Sequence, residues 1–106
     1  MRHFVLLCLP ALLALPAHAA DKAKPASLRL FAAKCASCHS IGAGKRVGPD
    51  LAGATQRRPP ETVAAFIQAP GKFLDSDPYT QNLVKKFSGI RMPDLGLTAD
   101  EAKDLT

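Results

Sequence analysis

The position of its cysteines and histidines constrains this chain more than any other feature. Residues 35–39 read CASCH, which places Cys35, Cys38 and His39 in one short segment. The other cysteine and the other histidines all belong to the first 18 residues: Cys8, His3 and His18. Beyond that N-terminal stretch, any chemistry that needs a thiol or an imidazole must therefore take place at residues 35–39.

The first 19 residues have the pattern of a secretory signal peptide. Arg2 gives a positive start, residues 4–15 form an apolar run of 12 residues, and residues 17–19 read AHA, a small-residue cleavage site. The run is shorter than the roughly 20 apolar residues that span a bilayer, so we expect no stable membrane anchor. The sequence therefore predicts a periplasmic protein, exported by a cleaved signal peptide.

The exported part is a small domain. About 86 residues remain, of which we expect the polar segment 20–26 to be disordered and residues 27–106 to fold. Domains of this size usually need a stabilising feature, such as disulfides or a bound metal, in addition to their hydrophobic core. A disulfide between Cys35 and Cys38 would close too short a loop to stabilise the fold much. The sequence therefore favours a buried cofactor as the feature that stabilises this domain.

The CASCH segment matches the CxxCH signature for covalent attachment of a c-type haem. On a helix, Cys35 and Cys38 share one face, where their sulfurs can capture the two vinyl groups of one macrocycle while His39 binds its iron. A zinc site needs about four protein ligands, and a thioredoxin-like dithiol would accompany a βαβ pattern. Residues 20–106 offer neither, so haem attachment is the favoured interpretation.

The iron of such a haem has a second axial position, for which Met92 is the leading candidate. After Met1 leaves with the signal peptide, Met92 is the only methionine and His39 the only histidine. A thioether is a soft ligand that favours ferrous iron and so raises the reduction potential. Pro93 restricts Met92 to extended backbone, which suits a loop that presents one side chain. The alternative is that Met92 fills a gap in the core.

Three stretches in this order resemble the bacterial class I c-type cytochromes that carry one haem. They are CASCH at 35–39, GPDL at 48–51 and MPDLGLT at 92–98. The resemblance extends over nearly all of residues 27–106. It implies an all-α domain with the cytochrome c fold, wrapped around one covalently bound haem, and electron transfer as the activity.

The same resemblance implies a set of cofactor-binding residues. Cys35 and Cys38 would attach the haem, with His39 as the proximal and Met92 as the distal ligand of the iron. The backbone carbonyl of Pro49 would accept a hydrogen bond from the far ring nitrogen of His39. That contact would fix the tautomer and orientation of the imidazole.

The apolar pattern predicts a helix on each side of the GPDL stretch. Ser27 is a candidate N-cap for the first, with Leu28 and Phe31 on an apolar stripe that continues into the cysteines. Pro60 suits the first position of the second helix, which the Pro-Gly pair at 70–71 would stop.

Two further helices are expected towards the C-terminus. One would follow the Asp-Pro pair at 77–78 and run to about Phe87, with an inward face formed by Tyr79, Leu83, Val84 and Phe87. The last would begin at a capping box between Thr98 and Glu101 and reaches only Thr106, about two turns. Class I cytochromes have a long helix there, so we interpret this one as cut short.

The exported chain is mildly basic. Without Arg2, 13 of the 14 Lys and Arg residues remain against nine acidic ones, a formal charge of +4 before the two haem propionates are counted. The dispersed basic residues fit a solvated surface and equally fit steering towards an acidic patch on a redox partner protein. The Arg-Arg pair at 57–58 could instead face a propionate. Few aromatic residues and export argue against nucleic-acid binding.

Three functions fit these observations. The first is an exported electron carrier that cycles between ferric and ferrous haem c, with no catalytic residue and no enzyme activity. The second is a haem-based sensor or enzyme in which Met92 is displaced from the iron. The third is a haem c subunit of a larger reductase or dehydrogenase. A peroxidase is disfavoured because the exported chain has no distal histidine to transfer protons.

Overall fold

The computed structural model of this protein describes residues 25–106, which are helical with no strand. Six helices follow one another: α1 (Ala26–Lys34), α2 (Ala54–Arg57), α3 (Pro60–Gln68), α4 (Pro70–Ser76), α5 (Pro78–Lys86) and α6 (Ala99–Asp104). The predicted signal peptide, residues 1–19, lies outside the described residues, as does most of the segment 20–26. Within the described part, no helix is long and apolar enough to cross a membrane.

Helix α1 leads directly into the CASCH segment. It begins at Ala26, so Ala26 is helical although it was predicted to belong to the disordered segment 20–26, and the prediction of Ser27 as N-cap is wrong. Pro25 stands at the N-cap instead, where its fixed φ directs the chain into the helix without a side-chain cap. The predicted apolar stripe is only partly buried, because Leu28 is 55% exposed.

Prolines begin three of the six helices. Pro60, Pro70 and Pro78 each occupy the first turn, where the missing backbone N–H has no intrahelical partner to lose. The sequence predicts only a stop at residues 70–71. The structure confirms that α3 ends there, but Pro70 also begins α4, because a residue that breaks one helix is preorganised to start the next.

Helix α5 begins and ends as its sequence predicts. The carboxylate of Asp77 accepts a hydrogen bond from the backbone N–H of Thr80 at 3.2 Å and so caps the first turn. After the helix, Ser88 and Gly89 have φ of 59° and 76°, in the left-handed region. The N–H of Gly89 then donates to the Val84 carbonyl at 2.8 Å, which closes the C-terminal turn.

Tyr79 was predicted to face inward, and it lines the cavity between the helices, although it is 41% exposed. The Arg58 guanidinium lies 4.7 Å above the centre of its ring. A cation over an aromatic face is attractive, so Arg58 helps to hold the ring in place.

The core is thin and lies where α3 packs on α6 and α4 packs on α5. Its most buried side chains are those of Pro70, Leu74, Leu97 and Ala102. Helix α6 has six residues, and the Thr98 hydroxyl caps it by accepting from the Glu101 N–H at 3.1 Å. So short a helix is stable only through tertiary contacts, which the burial of Ala102 supplies.

Asp77 forms an ion pair whose contribution to the stability of the fold depends on pH. Its carboxylate accepts from Arg58 at 2.9 Å, and both side chains are mostly buried, with 22% and 27% exposed. The hydrogen bond from Arg58, assisted by that from the Thr80 N–H, lowers the pKa of Asp77 below its ordinary value. The ionised carboxylate therefore stabilises the fold above the ordinary pKa, and this stabilisation is lost as the pH falls through the lowered one.

We expect Asp77→Ala to lower the Tm at pH 7 by several degrees, because the variant loses a helix cap together with an ion pair. The difference from the unmodified protein should shrink as the pH is lowered below about 4, where Asp77 is protonated in the unfolded chain. Thermal unfolding followed by circular dichroism from pH 3 to 7 measures both.

Asp75→Ala is the matched control. Asp75 pairs with Arg91 at 2.7 Å, but the two side chains are 73% and 50% exposed, and exposed pairs contribute little. A Tm difference between the protein and Asp77→Ala that stayed constant down to pH 3 would contradict the prediction.

Candidate functional site

A cavity of about 910 Å³ opens among the helices and is lined by parts of α1 to α5 and by the loop after α5. Its wall is mainly apolar, and Phe66 of α3 meets Phe73 of α4 edge to face with their ring centres 5.8 Å apart. All the residues that the sequence predicts for cofactor binding line this one cavity: Cys35, Cys38, His39, Pro49 and Met92.

The cysteines lie on a turn that continues α1. The backbone N–H groups of Cys38 and His39 both donate to the Cys35 carbonyl, at 3.1 and 2.9 Å. The i, i+3 relation of the cysteines therefore survives beyond the end of the helix, and both thiols reach the same cavity. Both are free, and burial raises the pKa of the Cys35 thiol, which keeps it protonated at neutral pH.

The orientation of the His39 ring is fixed by a contact with Pro49. Its ring Nδ1 lies 2.8 Å from the Pro49 carbonyl oxygen, so the predicted hydrogen bond is present. Because a carbonyl can only accept, Nδ1 carries the proton and Nε2 keeps the lone pair that a metal requires. The imidazole is thereby set in the tautomer of a ligand.

Gly48 packs against the face of the same ring. A Cβ atom at this position would lie 2.5 Å from Cε1 and 2.9 Å from Nδ1 of His39, closer than real side chains approach. The Gly48 N–H also donates to the Cys38 carbonyl at 2.8 Å. Only glycine therefore allows the backbone to close over the imidazole.

Met92 lies half-buried in the loop between α5 and α6. On one side, Arg91 donates to the Asp75 carboxylate of α4 at 2.7 Å. On the other, the Asp94 carboxylate accepts from the Gly96 N–H at 2.8 Å, where Gly96 has φ of 66°. These contacts flank the thioether on both sides, and the bond from Gly96 to Asp94 closes a turn after it.

The charged side chains that line the cavity are mostly cationic. Among the described residues that line it, the cationic ones are Arg57, Arg58, Lys86 and Arg91, and the one acidic residue is Asp50. Arg57 donates to the Ala52 carbonyl at 2.7 Å, and Arg58 to Asp77, so the predicted Arg-Arg pair lines the cavity but is partly engaged by the protein itself. The excess positive charge suits a bound group with acidic substituents.

The residues present fit a haem c. Two free thiols, an imidazole with a free Nε2, a thioether, an apolar wall and cationic side chains meet at one cavity. Among residues 25–106, no three His, Cys, Asp or Glu side chains lie close enough together to form a metal site of their own.

Sequence reasoning found the chemistry-bearing residues but missed those that support them. The contact of Gly48 with the ring and the stacking of Arg58 on Tyr79 were not predicted. The glycine beside Pro49 was the available signal, because glycine often marks a close approach of the backbone. Nothing in the sequence indicated that Arg58 would pair with a residue 19 positions away.

Comparison with known proteins identifies a family for this chain. The family model described as "Cytochrome c" matches residues 28–106. No curated protein matches the chain.

Several solved structures have a similar fold. A cytochrome c from Rhodothermus marinus is 26% identical with a TM-score of 0.70, and the match covers 74% of this chain and 66% of that one. The cytochrome c domain of the pp3183 protein from Pseudomonas putida is also 26% identical, with a TM-score of 0.63, and the match covers 74% and 79%. An engineered cytochrome c from Rhodothermus marinus, 22% identical over 94% and 80% with a TM-score of 0.69, supports the fold alone.

Proposed function

Because the chain belongs to the cytochrome c family, we propose that it is an exported electron carrier with one covalently attached haem c, cycling between ferric and ferrous iron. The family is one of haem-based electron transfer. The observation that carries the proposal is the meeting at one cavity of Cys35, Cys38, His39 and Met92, with the His39 ring held by Pro49.

Each residue has a separate part in holding the haem. Cys35 and Cys38 would supply the two free thiols through which a haem c is attached covalently. His39 offers Nε2 to the iron, and the Pro49 carbonyl holds the proton on Nδ1. Met92 would offer its thioether sulfur as the second protein ligand of the iron, from a loop in which Arg91 and Asp94 are hydrogen-bonded on either side.

The haem supplies a one-electron couple between ferric and ferrous iron when it is bound. The protein sets its energy: the soft sulfur of Met92 favours the ferrous state, and the apolar wall, which includes Phe66 and Phe73, excludes water from the site. His39 and Met92 would both be ligands of the iron, which would leave no ligand position for a substrate. Electron transfer without substrate chemistry therefore fits the ligand set best.

Export and partner choice follow from the sequence. The pattern of residues 1–19 supports a periplasmic location. The formal charge of +4 after its removal supports steering towards an acidic surface on a redox partner protein.

The test is a spectrum and a voltammogram of the protein expressed with its signal peptide and a haem c maturation system. We expect one haem per chain by pyridine haemochrome assay, a sulfur-to-iron charge-transfer band in the ferric protein, and one reversible one-electron wave. Rapid carbon monoxide binding by the ferrous protein, together with absence of the band, would instead favour a sensor or enzyme. Isolation solely in a stable stoichiometric complex would favour a subunit of a larger reductase or dehydrogenase.

A further inference from the structure

The segment after His39 is an exposed loop, residues 41–47, that packing does not hold. Gly42 and Gly44 both have φ of 89°, and a Cβ at either would meet no atom within 4 Å. Glycines in open space have the widest backbone freedom of any residue. The conformation of this loop must therefore be selected by hydrogen bonds.

One carboxylate provides two of those bonds and joins them to a third, from Ala52 beyond the loop. Asp50 accepts from the backbone N–H groups of Gly42 and Gly44 at 2.8 Å each, and from that of Ala52 at 2.9 Å. Its two oxygens thus gather three donors from both sides of its own position. These bonds, that of Gly42 first, lower the pKa of Asp50 below its ordinary value, so the carboxylate is ionised at neutral pH and its bonds are charge-assisted.

The loop that Asp50 closes is tied to the residues around His39. The Ser40 hydroxyl donates to the Gly44 carbonyl at 2.5 Å, and the Leu51 N–H donates to the Ser40 carbonyl at 2.8 Å. Ser40 follows His39 directly and is buried. Fixing Gly44 and Leu51 therefore also fixes the backbone beside the imidazole.

The two residues that follow the loop touch the ring. Pro49, which precedes Asp50, accepts from Nδ1 of His39, and Gly48 lies against the imidazole. Asp50 itself makes no hydrogen bond to the ring. Its effect on His39 must pass through the backbone of residues 48–49.

We propose that Asp50 is a positioning residue for His39: by gathering the backbone N–H groups of Gly42 and Gly44 in the loop and of Ala52 beyond it, it holds the Pro49 carbonyl on Nδ1 and so sets how strongly the ring donates to iron. The electronic consequence rests on the proposed function. The hydrogen bond itself is measured separately from the reduction potential.

The first readout is the solvent exchange of the His39 ring N–H, measured by ¹⁵N NMR of the ferrous protein. Asp50→Ala removes all three acceptor contacts and should speed this exchange at least tenfold. Asp50→Asn keeps an oxygen for Gly42 and Ala52, but its amide nitrogen cannot accept from Gly44. We expect an intermediate rate for Asp50→Asn.

The second readout is the reduction potential. A hydrogen bond from Nδ1 to a carbonyl raises the basicity of the ligand and favours ferric iron. Loosening that bond should raise the potential of Asp50→Ala. Because removing a negative charge also raises it, Asp50→Glu separates the two effects: it keeps the charge, and its longer side chain displaces the carboxylate. The potential of Asp50→Glu should rise in step with its ring N–H exchange.

Two further variants serve as a negative and a positive control for the exchange measurement. Asp104→Asn removes one exposed carboxylate from α6 and should leave the ring N–H exchange unchanged. Gly48→Ala forces a Cβ against the imidazole and should speed the exchange without touching Asp50.

Unchanged ring N–H exchange in both Asp50→Ala and Asp50→Asn would overturn the proposal, whatever the potentials. A raised potential in Asp50→Ala and Asp50→Asn with an unaltered one in Asp50→Glu, and unaltered exchange in all three, would show a charge effect only. If Asp50→Ala does not fold, the ring N–H exchange rates of Asp50→Asn and Asp50→Glu decide whether Asp50 positions His39. The two failures are distinguishable: an unmodified protein that attaches no haem would overturn the proposed function, whereas unaltered ring N–H exchange in haem-loaded variants would overturn the role of Asp50 alone.

Discussion

The double variant Cys35→Ser, Cys38→Ser is expected to lose its haem to acidified organic solvent and to lose most of its helical circular dichroism. A serine hydroxyl does not replace the thiol in thioether formation, so no covalent bond would retain the cofactor. Haem staining of a denaturing gel measures attachment, and far-ultraviolet circular dichroism measures the fold.

The loss of fold follows from how little the protein buries on its own. Large apolar side chains that line the cavity, such as Phe31, Phe66 and Phe87, are only half-buried by other parts of the protein. Complete burial of such a side chain contributes about 1.5–3 kcal/mol. A few of these contributions equal the roughly 5–15 kcal/mol that stabilise a typical domain.

Ser37→Ala is the matched control. Ser37 lies between the cysteines, is exposed, and approaches only the Cys38 sulfur, at 3.8 Å. This variant should retain the haem and the unmodified spectrum. A folded, helical double-serine variant without haem would contradict the view that the cofactor completes the core.

Met92→Ala is expected to lower the reduction potential by a tenth of a volt or more, within the range of about 0.8 V over which axial ligands set haem potentials. Loss of the thioether removes the soft ligand that favours ferrous iron. The vacated axial position should also admit carbon monoxide. Spectroelectrochemistry and carbon monoxide titration measure the two effects, and the sulfur-to-iron band should disappear.

Leu95→Ala tests whether any truncation in this loop has the same effect. Leu95 lies in the same loop as Met92 and is also half-buried, but it does not line the cavity. Truncation of the Leu95 side chain should change the free energy of unfolding more than the reduction potential. An unchanged potential and band in Met92→Ala would show that Met92 is a packing residue, which is the alternative left open by the sequence.

The helices differ in how well the sequence predicted them. Helix α5 was predicted nearly to the residue because a capping aspartate, a following proline and a terminal glycine each specify local backbone. Helix α4 was missed because its signal, Pro70 followed by Gly71, also marks a helix end. The N-cap at Ser27 was wrong because Pro25 starts the helix two residues earlier.

The site divides in a similar way. Cys35, Cys38 and His39 were identifiable because their chemistry depends on residue type and spacing alone. The stacking of Arg58 on Tyr79, and the pairing of Arg58 with Asp77, depend on distances between separate elements. No local pattern encodes such distances.

The sequence by itself determined the attachment motif, its single histidine, the one methionine available as a second ligand and the helical character of the chain. The tertiary structure alone decided that His39 and Met92 line the same cavity, 53 positions apart in the chain. It also decided that Gly48 and the three-bonded Asp50 hold the loop against the imidazole. The physical reason is that thiol and imidazole chemistry belongs to the residue, whereas ring orientation depends on the folded backbone that surrounds it.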